Sequence, residues 1–327
     1  MLKYCIKRLL LALLILVGVS LIIWTLVWFM PVSFIDKQAS IMAGNTGNVE
    51  EIKAQLTRDL GMDGTMLEGY WKWLTKFLRG DLGLSFSAGR PPVADIIFEN
   101  MGVSFALSFV ALILELIIAI PLGVKCACNQ YGKLDYTATV LTMIGISFPT
   151  FFLGSIVIKY FALDLNWFPA FGLNGSLPED ASWWTRMGDT LWHLVLPMFV
   201  LVILNIGSWM RYTRTNTLEV LNADYIRTAR AKGLSEHSVV YKHVFRNTLI
   251  PLVTVMAGTL PSLFGGAMIT ETVFQIEGIG KKAYDLLNAG DIPFIMGYNM
   301  FIATLTVIGI LLTDIMYAVV DPRVKLA

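Results

Sequence analysis

The chain has 327 residues, of which 56% are hydrophobic and only 15% are charged. Soluble globular domains carry about a quarter charged residues, so this composition excludes an ordinary soluble domain. It predicts an all-α polytopic membrane protein in contact with membrane lipid. The formal net charge of +1 gives no electrostatic basis for binding nucleic acid, and the sequence has no zinc-finger or RNA-binding signature.

The first predicted span lies in residues 1–30. Lys3, Lys7 and Arg8 precede an apolar run from Leu9 to Met30. This run is longer than the apolar core of a usual signal peptide, and no clean A-x-A cleavage site follows it. We predict an uncleaved transmembrane helix whose N-terminus lies inside the cell.

Residues 31–99 are predicted to form an extracytoplasmic segment. The pattern of Glu50–Leu60 is typical of an amphipathic helix, and the aromatic stretch Tyr70–Leu78 predicts a short helix at the membrane interface. A turn-forming GDLG sequence follows at 80–83. Because the segment holds few apolar residues, we expect it to pack on the outer ends of the spans.

Residues 100–327 are predicted to form a core domain with five further transmembrane helices. Each apolar run is close to the length that crosses a hydrocarbon core of about 30 Å. The runs are Val103–Val124, Tyr136–Leu163, Leu191–Tyr212, Leu249–Phe274 and Gly297–Val320. The prolines within these runs are candidate bends, and they are Pro121, Pro149, Pro197 and Pro261.

Basic residues determine the predicted orientation. The two short outside loops carry only Arg186 in one and Lys281 with Lys282 in the other. The segments assigned to the inside carry Lys3, Lys7, Arg8, Lys125, Lys133, Arg211, Arg214, Arg227, Arg230, Lys232, Lys242, Arg246, Arg323 and Lys325. By the positive-inside rule, this asymmetry predicts six spans with both termini in the cytoplasm.

The polar stretch 222–251 then lies in the cytoplasm between spans four and five. We predict a hairpin of two short helices, with Asn222 as the N-cap of the first helix and Ser235 as the N-cap of the second. Gly233 suits the left-handed position that commonly ends a helix. Such a hairpin is either a plain solvated loop or a handle for a partner outside the membrane.

The sequence contains no Walker phosphate loop, zinc-protease motif or nucleophile elbow, so we predict no catalytic residue and no metal site. Glu115 lies near the middle of span two. A carboxylate there can bind a cationic group of a substrate, help close a gate, or be protonated and hydrogen-bonded to a neighbouring helix. Because no motif captures energy, transport by this chain needs either a gradient or a partner.

Several motifs spread over the chain resemble those of one known family. They are YIRTARAKGL at 225–234 with RN at 246–247 and LIP at 249–251, GDLG at 80–83 with Ser85, GG at 265–266 leading to ETVF at 271–274, GIG at 278–280 and DPR at 321–323. Together they resemble the oligopeptide/dipeptide permease B-type subunit of bacterial ABC importers. The general importer loop motif begins Glu-Ala-Ala, and Arg227, Thr228 and Ala229 stand in its place here, a departure that is usual in the peptide branch.

The resemblance implies a type I ABC importer permease fold in a bacterial cytoplasmic membrane. It implies a second, related C-type permease subunit, two cytoplasmic ATPase subunits that bind ATP and magnesium, and an extracytoplasmic peptide-binding protein. It implies no cofactor in this chain. The residues that it assigns to coupling with the ATPases are Tyr225, Arg227, Thr228, Ala229, Arg230, Lys232, Gly233 and Leu234.

Other interpretations of the sequence remain open. The same architecture can import nickel or another small solute, since the binding protein largely sets the substrate. An autonomous secondary transporter or channel would need coupling residues inside the bundle, for which Glu115 is the one candidate. An intramembrane enzyme would need a catalytic dyad or a metal set, which the sequence does not contain.

Overall fold

The computed structural model describes residues 2–44 and 48–320. The DPR sequence at 321–323 and the basic residue Lys325 lie outside the described residues. Within the described part the chain is helical, and its one β pairing is an isolated bridge between Leu84 and Pro92. The structure is therefore built from packed helices, as the composition predicts.

The helices, in chain order, are α1 (Leu2–Trp28), α2 (Val32–Ala43), α3 (Val49–Asp59), α4 (Met66–Leu78), α5 (Val93–Cys128), α6 (Lys133–Ser147), α7 (Thr150–Val157), α8 (Trp183–Leu221), α9 (Asp224–Ala231), α10 (Glu236–Ser238), α11 (Phe245–Gly265), α12 (Met268–Val273), α13 (Ile279–Ala289) and α14 (Ile292–Val320). Two segments are π-helical. Ile158–Asp164 continues α7, and Val239–Val244 joins α10 to α11.

Six stretches of the described chain account for the membrane spans. Five helical stretches are long and apolar enough to cross a membrane, and these are Ile6–Trp28, Val93–Cys128, Trp183–Leu221, Glu236–Val273 and Ile292–Asp314. The pair formed by α6 and α7 makes a sixth when it is counted as one bent span. The predicted number of spans is reached in this way, although the third span differs in shape from the others.

The third span, predicted as Tyr136–Leu163, is two helices bent by 99°. The break falls at Phe148 and Pro149, whose ψ angles of 132° and 134° are extended rather than helical. Proline has no N–H for the helix and disfavours helical backbone at the residue before it. The predicted bend at Pro149 is therefore confirmed. The remaining candidate bends lie inside continuous helices, and they are Pro121, Pro197 and Pro261.

α8 is much longer than the predicted span Leu191–Tyr212. Its 39 residues run from Trp183 to Leu221, which at 1.5 Å per residue is roughly 58 Å. A hydrocarbon core is about 30 Å thick, so the helix extends well beyond it. One continuous rod therefore connects the outer side of the bundle to the cytoplasmic hairpin.

α8 packs against α5 and α6 over most of its length. Where α8 meets α5, a Cβ at Gly123 would lie 2.7 Å from the Met210 carbonyl oxygen, so only glycine allows this approach. Near the cytoplasmic end, Arg214 donates two hydrogen bonds to the Asp135 carboxylate, at 2.6 and 2.7 Å. Since Asp135 is buried, this bidentate pair fastens the start of α6 to α8.

The extracytoplasmic segment packs on the outer part of α1. Buried residues of α1, α2, α3 and α4 form one cluster around Trp24, with Leu56 and Tyr70 among them. The predicted helices are present, but α4 begins at Met66 rather than at Tyr70. A capping box of Thr65 with Glu68 explains this start. α5 runs without interruption through residues 99 and 100, and the predicted division into domains at that point stays a prediction.

Candidate functional site

The cytoplasmic hairpin begins directly where α8 ends. Asn222 closes α8, because its side-chain amide donates to the carbonyl oxygen of Leu218 at 2.9 Å. The prediction of Asn222 as an N-cap is therefore wrong. Ala223 occupies the N-cap position of α9 and supplies no side-chain cap. The asparagine side chain can bond to the turn before it or to the turn after it, and sequence alone does not decide between them.

The elbow of the hairpin is a Schellman motif. Gly233 has φ +77°, its N–H donates to Arg230 at 2.9 Å, and the N–H of Leu234 donates to Ala229 at 3.4 Å. The predicted left-handed conformation of Gly233 is confirmed. Ser235 then accepts a hydrogen bond from the N–H of Ser238 at 3.4 Å, so its predicted role as an N-cap is confirmed too.

An ion pair across Gly233 links the end of α9 to the start of α10. Arg230 donates two hydrogen bonds to the Glu236 carboxylate, at 2.8 and 3.3 Å. The neighbouring carboxylate raises the pKa of the Arg230 guanidinium further above its usual range. Both side chains are exposed to solvent, so the pair is worth at most about 1 kcal/mol. Its role is to hold the angle between the two arms.

The inner face of α9 builds a small core of its own. Ile226 and Ala229 are buried against Val239 and Val244 of the returning helix. They are three residues apart and therefore lie on the same face of α9. Ala229, which the resemblance assigns to coupling, thus contributes to the shape of the hairpin rather than to its free surface.

The outer face of the hairpin is open. The exposed members of the predicted coupling set are Tyr225, Arg227, Thr228, Arg230, Lys232, Gly233 and Leu234. Among the apolar ones, Tyr225 is 50% exposed and Leu234 is 41% exposed. Tyr241, which sequence reasoning missed, is 55% exposed and lies against the ring of His237. The surface therefore combines basic and aromatic groups, which are common at the centre of protein interfaces.

Glu115 lies in a cavity inside the bundle. The carboxylate is buried, and Asn205 and Trp209 of α8 are its polar neighbours. The cavity has a volume of about 220 Å³ and is lined by α5, α8 and α11 and by Gly266 and Ala267, which precede α12. Its polar lining includes Ser108, Thr259 and Ser262 as well as the residues above. This polar chamber lies within the membrane-spanning region, has Glu115 in its wall, and is partly open, since Ser262 is exposed.

Two further carboxylates are buried on the outer side. Glu271 accepts hydrogen bonds from the Ser104 hydroxyl at 2.7 Å, the Ala267 N–H at 2.8 Å and the Lys281 N–H at 3.0 Å. Ser104 in turn accepts the N–H of Ile279 at 2.8 Å. One carboxylate thus ties α5 to the residue before α12 and to the first turn of α13. Glu271 therefore has a structural role at this end of the span.

The glycines of the GG and GIG motifs make room for that carboxylate. A Cβ at Gly266, Gly278 or Gly280 would lie between 2.5 and 2.9 Å from an oxygen of Glu271. At Gly266 the backbone also has φ +77°. These three glycines therefore form a cradle around one acid.

Asp291 makes a similar set of bonds at the start of α14. Its carboxylate accepts from the Ser85 hydroxyl, from the Phe86 N–H at 2.8 Å and from the Phe294 N–H at 3.0 Å. Ser85 and Phe86, which follow the GDLG sequence, are thereby fixed to the outer end of the last span. Sequence reasoning missed Asp291, although an acid two residues before a proline at the start of an apolar run is an N-cap signal.

The described residues include no group of three or more His, Cys, Asp or Glu side chains that could hold a metal ion. In the same part of the chain Cys126 is buried and Cys128 is exposed, and both thiols are free. The two notable features of the described residues are an exposed basic and aromatic surface on the cytoplasmic side and a polar chamber in the membrane-spanning part.

Comparison with known proteins identifies the family. Residues 119–326 match the model of the binding-protein-dependent transport system inner membrane component, and residues 1–108 match the model of its N-terminal region. The chain belongs to this family. The predicted fold class, a polytopic all-α protein of the type I ABC importer permease fold, and the predicted location in the cytoplasmic membrane are confirmed. A component of this kind is the membrane subunit of a transport system and is not itself the catalytic subunit.

Named relatives of this inner membrane component cover almost the whole chain. The oligopeptide transport system permease protein AppB of Bacillus subtilis is 36% identical over 325 residues, which are 99% of this chain and 100% of that protein. A putative peptide permease protein of Brucella suis is 34% identical over 99% of both chains. The dipeptide transport system permease protein DppB of Escherichia coli is 33% identical, also over 99% of both chains.

Proposed function

We propose that this chain is a membrane permease subunit of an ABC importer that moves oligopeptides or dipeptides into the cytoplasm. The observation that carries the proposal is the near-complete match to relatives named as oligopeptide and dipeptide permeases. The cytoplasmic hairpin supports it, because its arms pack on each other through a small core and its outer face is open. A plain solvated loop has no need of a Schellman elbow, an ion pair across it and a separate small core.

The partners follow from this function. Two cytoplasmic ATPase subunits bind ATP and magnesium, and this chain carries no cofactor of its own. A second, related C-type permease subunit completes the pathway, and an extracytoplasmic peptide-binding protein delivers the substrate. The outer face of the hairpin docks into the ATPases through Tyr225, Arg227, Lys232 and Leu234. Ile226 and Ala229 keep that face in shape.

Coupling uses the two long helices that leave the hairpin. α8 is continuous from Leu221 to the outer side, and the returning arm continues through Val239–Val244 into α11. A rigid displacement of the hairpin is therefore carried into both helices that line the polar chamber. The Schellman elbow and the buried contacts of Ile226 and Ala229 limit how much of the motion the arms absorb locally.

Glu115 gives the chamber a preference for a positive group. A peptide carries an α-ammonium group, and a buried carboxylate with polar neighbours can pair with it during passage. The chamber reaches from Glu115 to Gly266 and Ala267, near the outer end of α11. In this function Glu115 lines the pathway for peptide that enters from the outside.

The test is reconstitution of the complete transporter in liposomes with a labelled dipeptide outside and ATP inside. We expect uptake that requires ATP and the binding protein. Uptake by this chain without the ATPases would overturn the proposal in favour of an autonomous transporter. Uptake of nickel in place of peptides would assign a different substrate to the same architecture.

Glu115→Gln is assayed in the same liposomes, because it keeps the size of the side chain and removes its charge. We expect uptake of a free dipeptide to fall by about tenfold, because the variant loses one ion pair with the peptide in a buried site. An N-acetylated dipeptide, which lacks the ammonium group, should lose far less. Equal uptake of both peptides by the variant and the original would assign Glu115 a purely structural role.

A further inference from the structure

α4 lies beside the membrane-spanning part of α1. The hydroxyl groups of Ser20 and Tyr70 are 2.9 Å apart, and the Trp24 indole N–H donates to the Met66 carbonyl oxygen at 3.0 Å. Ser20 is inside the apolar stretch Ile6–Trp28, roughly 12 Å along the helix axis from its outer end. α4 is therefore at the depth of the outer leaflet rather than above the membrane.

One stripe of α4 has no partner in the described chain. Leu67, Trp71 and Leu78 are 70%, 60% and 73% exposed. They recur at helical spacing and so lie along a single face. At the same depth α1 exposes Leu21 and Leu26. Because both helices present apolar side chains at the level of the hydrocarbon, acyl chains are the natural occupant of this face.

A basic stripe also runs along α4, about 130° around the helix from the apolar one. Lys72, Lys76 and Arg79 follow each other at helical spacing and, together with Arg58 of α3, line a cleft of about 320 Å³. The loop at 81–84 and the start of α14 close the cleft on the other side.

The cleft retains unpaired positive charge. Of its cations, Lys72 pairs with Asp63, while Arg58, Lys76 and Arg79 form none of the ion pairs found among the described residues. Two carboxylates also line the cleft. Asp59 is engaged by Arg90, and Asp81 accepts the N–H of Gly83. One short helix thus presents a cationic cleft on one side and an exposed apolar stripe on another, and a molecule with an anionic head and long apolar tails can contact both.

We propose that this cleft binds the headgroup of an anionic phospholipid of the outer leaflet, with its acyl chains along Leu67, Trp71 and Leu78. Arg58, Lys76 and Arg79 contact the phosphate. The lipid would fill the space between α4 and the outer end of α14 and so anchor the extracytoplasmic segment to the membrane. The site does not depend on which solute the transporter carries.

The first test measures lipid retained by the complete transporter after purification from membranes that contain phosphatidylglycerol and phosphatidylcholine. Native mass spectrometry counts the bound lipids. The double variant K76E/R79E should lose bound phosphatidylglycerol by about tenfold or more, because each cation near an anionic lipid contributes measurably to binding. The matched control is K37E, which changes an exposed lysine of α2 outside the cleft. Equal retention of phosphatidylglycerol by the double variant and the control would overturn the proposal.

A second measurement identifies the occupant. A nitroxide label at Leu78→Cys, with the native cysteines replaced by alanine, should be more accessible to oxygen than to a water-soluble nickel complex. Greater access of the nickel complex would overturn the proposal, and so would a label that is shielded from oxygen until the second permease subunit is removed. Displacement of phosphatidylglycerol by millimolar inorganic phosphate would indicate a free-anion site instead and would also overturn it.

Discussion

The cytoplasmic hairpin and the outer loops around Glu271 and Asp291 are held together by different kinds of contact. The hairpin is held by local bonds, since the Schellman elbow, the Ser235 cap and the Arg230–Glu236 pair all join residues fewer than ten positions apart. The outer side is held by bonds between distant residues, as Glu271 reaches Ser104 and Asp291 reaches Ser85. A lever that moves as one piece needs internal rigidity and an open face. Loops at the outer ends of several spans need anchors between helices.

The comparison predicts that outer and cytoplasmic substitutions separate stability from coupling. Removal of a buried carboxylate should lower the stability of the whole bundle. Changes on the exposed face of the hairpin should leave the bundle intact and affect only its partners. The following four predictions are ordered by the expected effect on stability.

Glu271→Gln should have the largest effect. The amide keeps the volume of the side chain but loses the charge and one acceptor, so donors from Ser104, Ala267 and Lys281 can no longer all be satisfied. We expect a loss of about 3 kcal/mol in the free energy of unfolding, measured in detergent by thermal denaturation with size-exclusion detection. Glu277→Gln, at an exposed acid nearby, is the matched control and should change little. A variant as stable as this control would show that the cradle does not hold the outer loops.

Asp291→Ala should come next. It removes the N-cap bond to Phe294 and both bonds to the strand-like segment at Ser85 and Phe86. We expect a loss of about 2 kcal/mol and increased protease cleavage between residues 79 and 93. Limited proteolysis followed by mass spectrometry measures the second effect. Unchanged cleavage in this segment would contradict the anchoring role of Asp291.

Gly233→Val tests the elbow. A Cβ at Gly233 would meet no atom within 4 Å, so the cost comes only from the positive φ angle. That cost is about 1–2 kcal/mol for a residue other than glycine. The valine variant should therefore destabilise only the hairpin. We expect the melting temperature of the bundle to stay the same, while peptide-stimulated ATPase activity of the complete transporter falls severalfold.

Gly233→Asn is the control for the elbow, because asparagine tolerates the left-handed region better than other residues do. It should retain most of the coupling that Gly233→Val loses. If both variants lose peptide-stimulated ATPase activity equally, the φ angle at position 233 is not the cause of the loss.

The double variant Y225A/L234D should have the smallest effect on stability, because both side chains are exposed and touch no core. We expect a change within about 0.5 kcal/mol. Retention of the ATPase subunits in a pull-down should nevertheless fall by about tenfold or more, the loss expected when an aromatic and an apolar anchor leave an interface. Tyr284→Ala, at an exposed residue of α13 on the outer side, is the control. Normal retention in the double variant would locate the ATPase contact elsewhere.

Much of the hairpin could be predicted because its determinants are local. Gly233 and Ser235 behave as their neighbours along the chain indicate, and only Asn222 was assigned to the wrong helix. The division of the hairpin into a buried and an exposed face was out of reach, because it depends on how α9 packs on the returning arm. In the sequence, Ala229 and Leu234 look equally suitable for contact with the ATPases. Only the packing shows that Ala229 is buried and Leu234 is exposed.

The outer side was harder to predict for the opposite reason. The partners of Glu271 and Asp291 lie 167 and 206 positions away in the chain, and no local pattern encodes such a pairing. The bend in the third span is an intermediate case. Pro149 marks its position, but the 99° angle depends on how α6 and α7 pack against their neighbours.

By itself the sequence determined that this is a membrane protein with six predicted spans, which way it is oriented, and where its cytoplasmic hairpin lies. These properties follow from apolar run length, the distribution of basic residues and local capping chemistry, all of which are additive along the chain. Only the tertiary structure decided which polar side chains are buried, which face of the hairpin is free, and that α4 lies beside the outer part of α1. Those properties depend on contacts between distant segments, because packing against other helices decides whether a side chain is buried, exposed or part of a cavity lining.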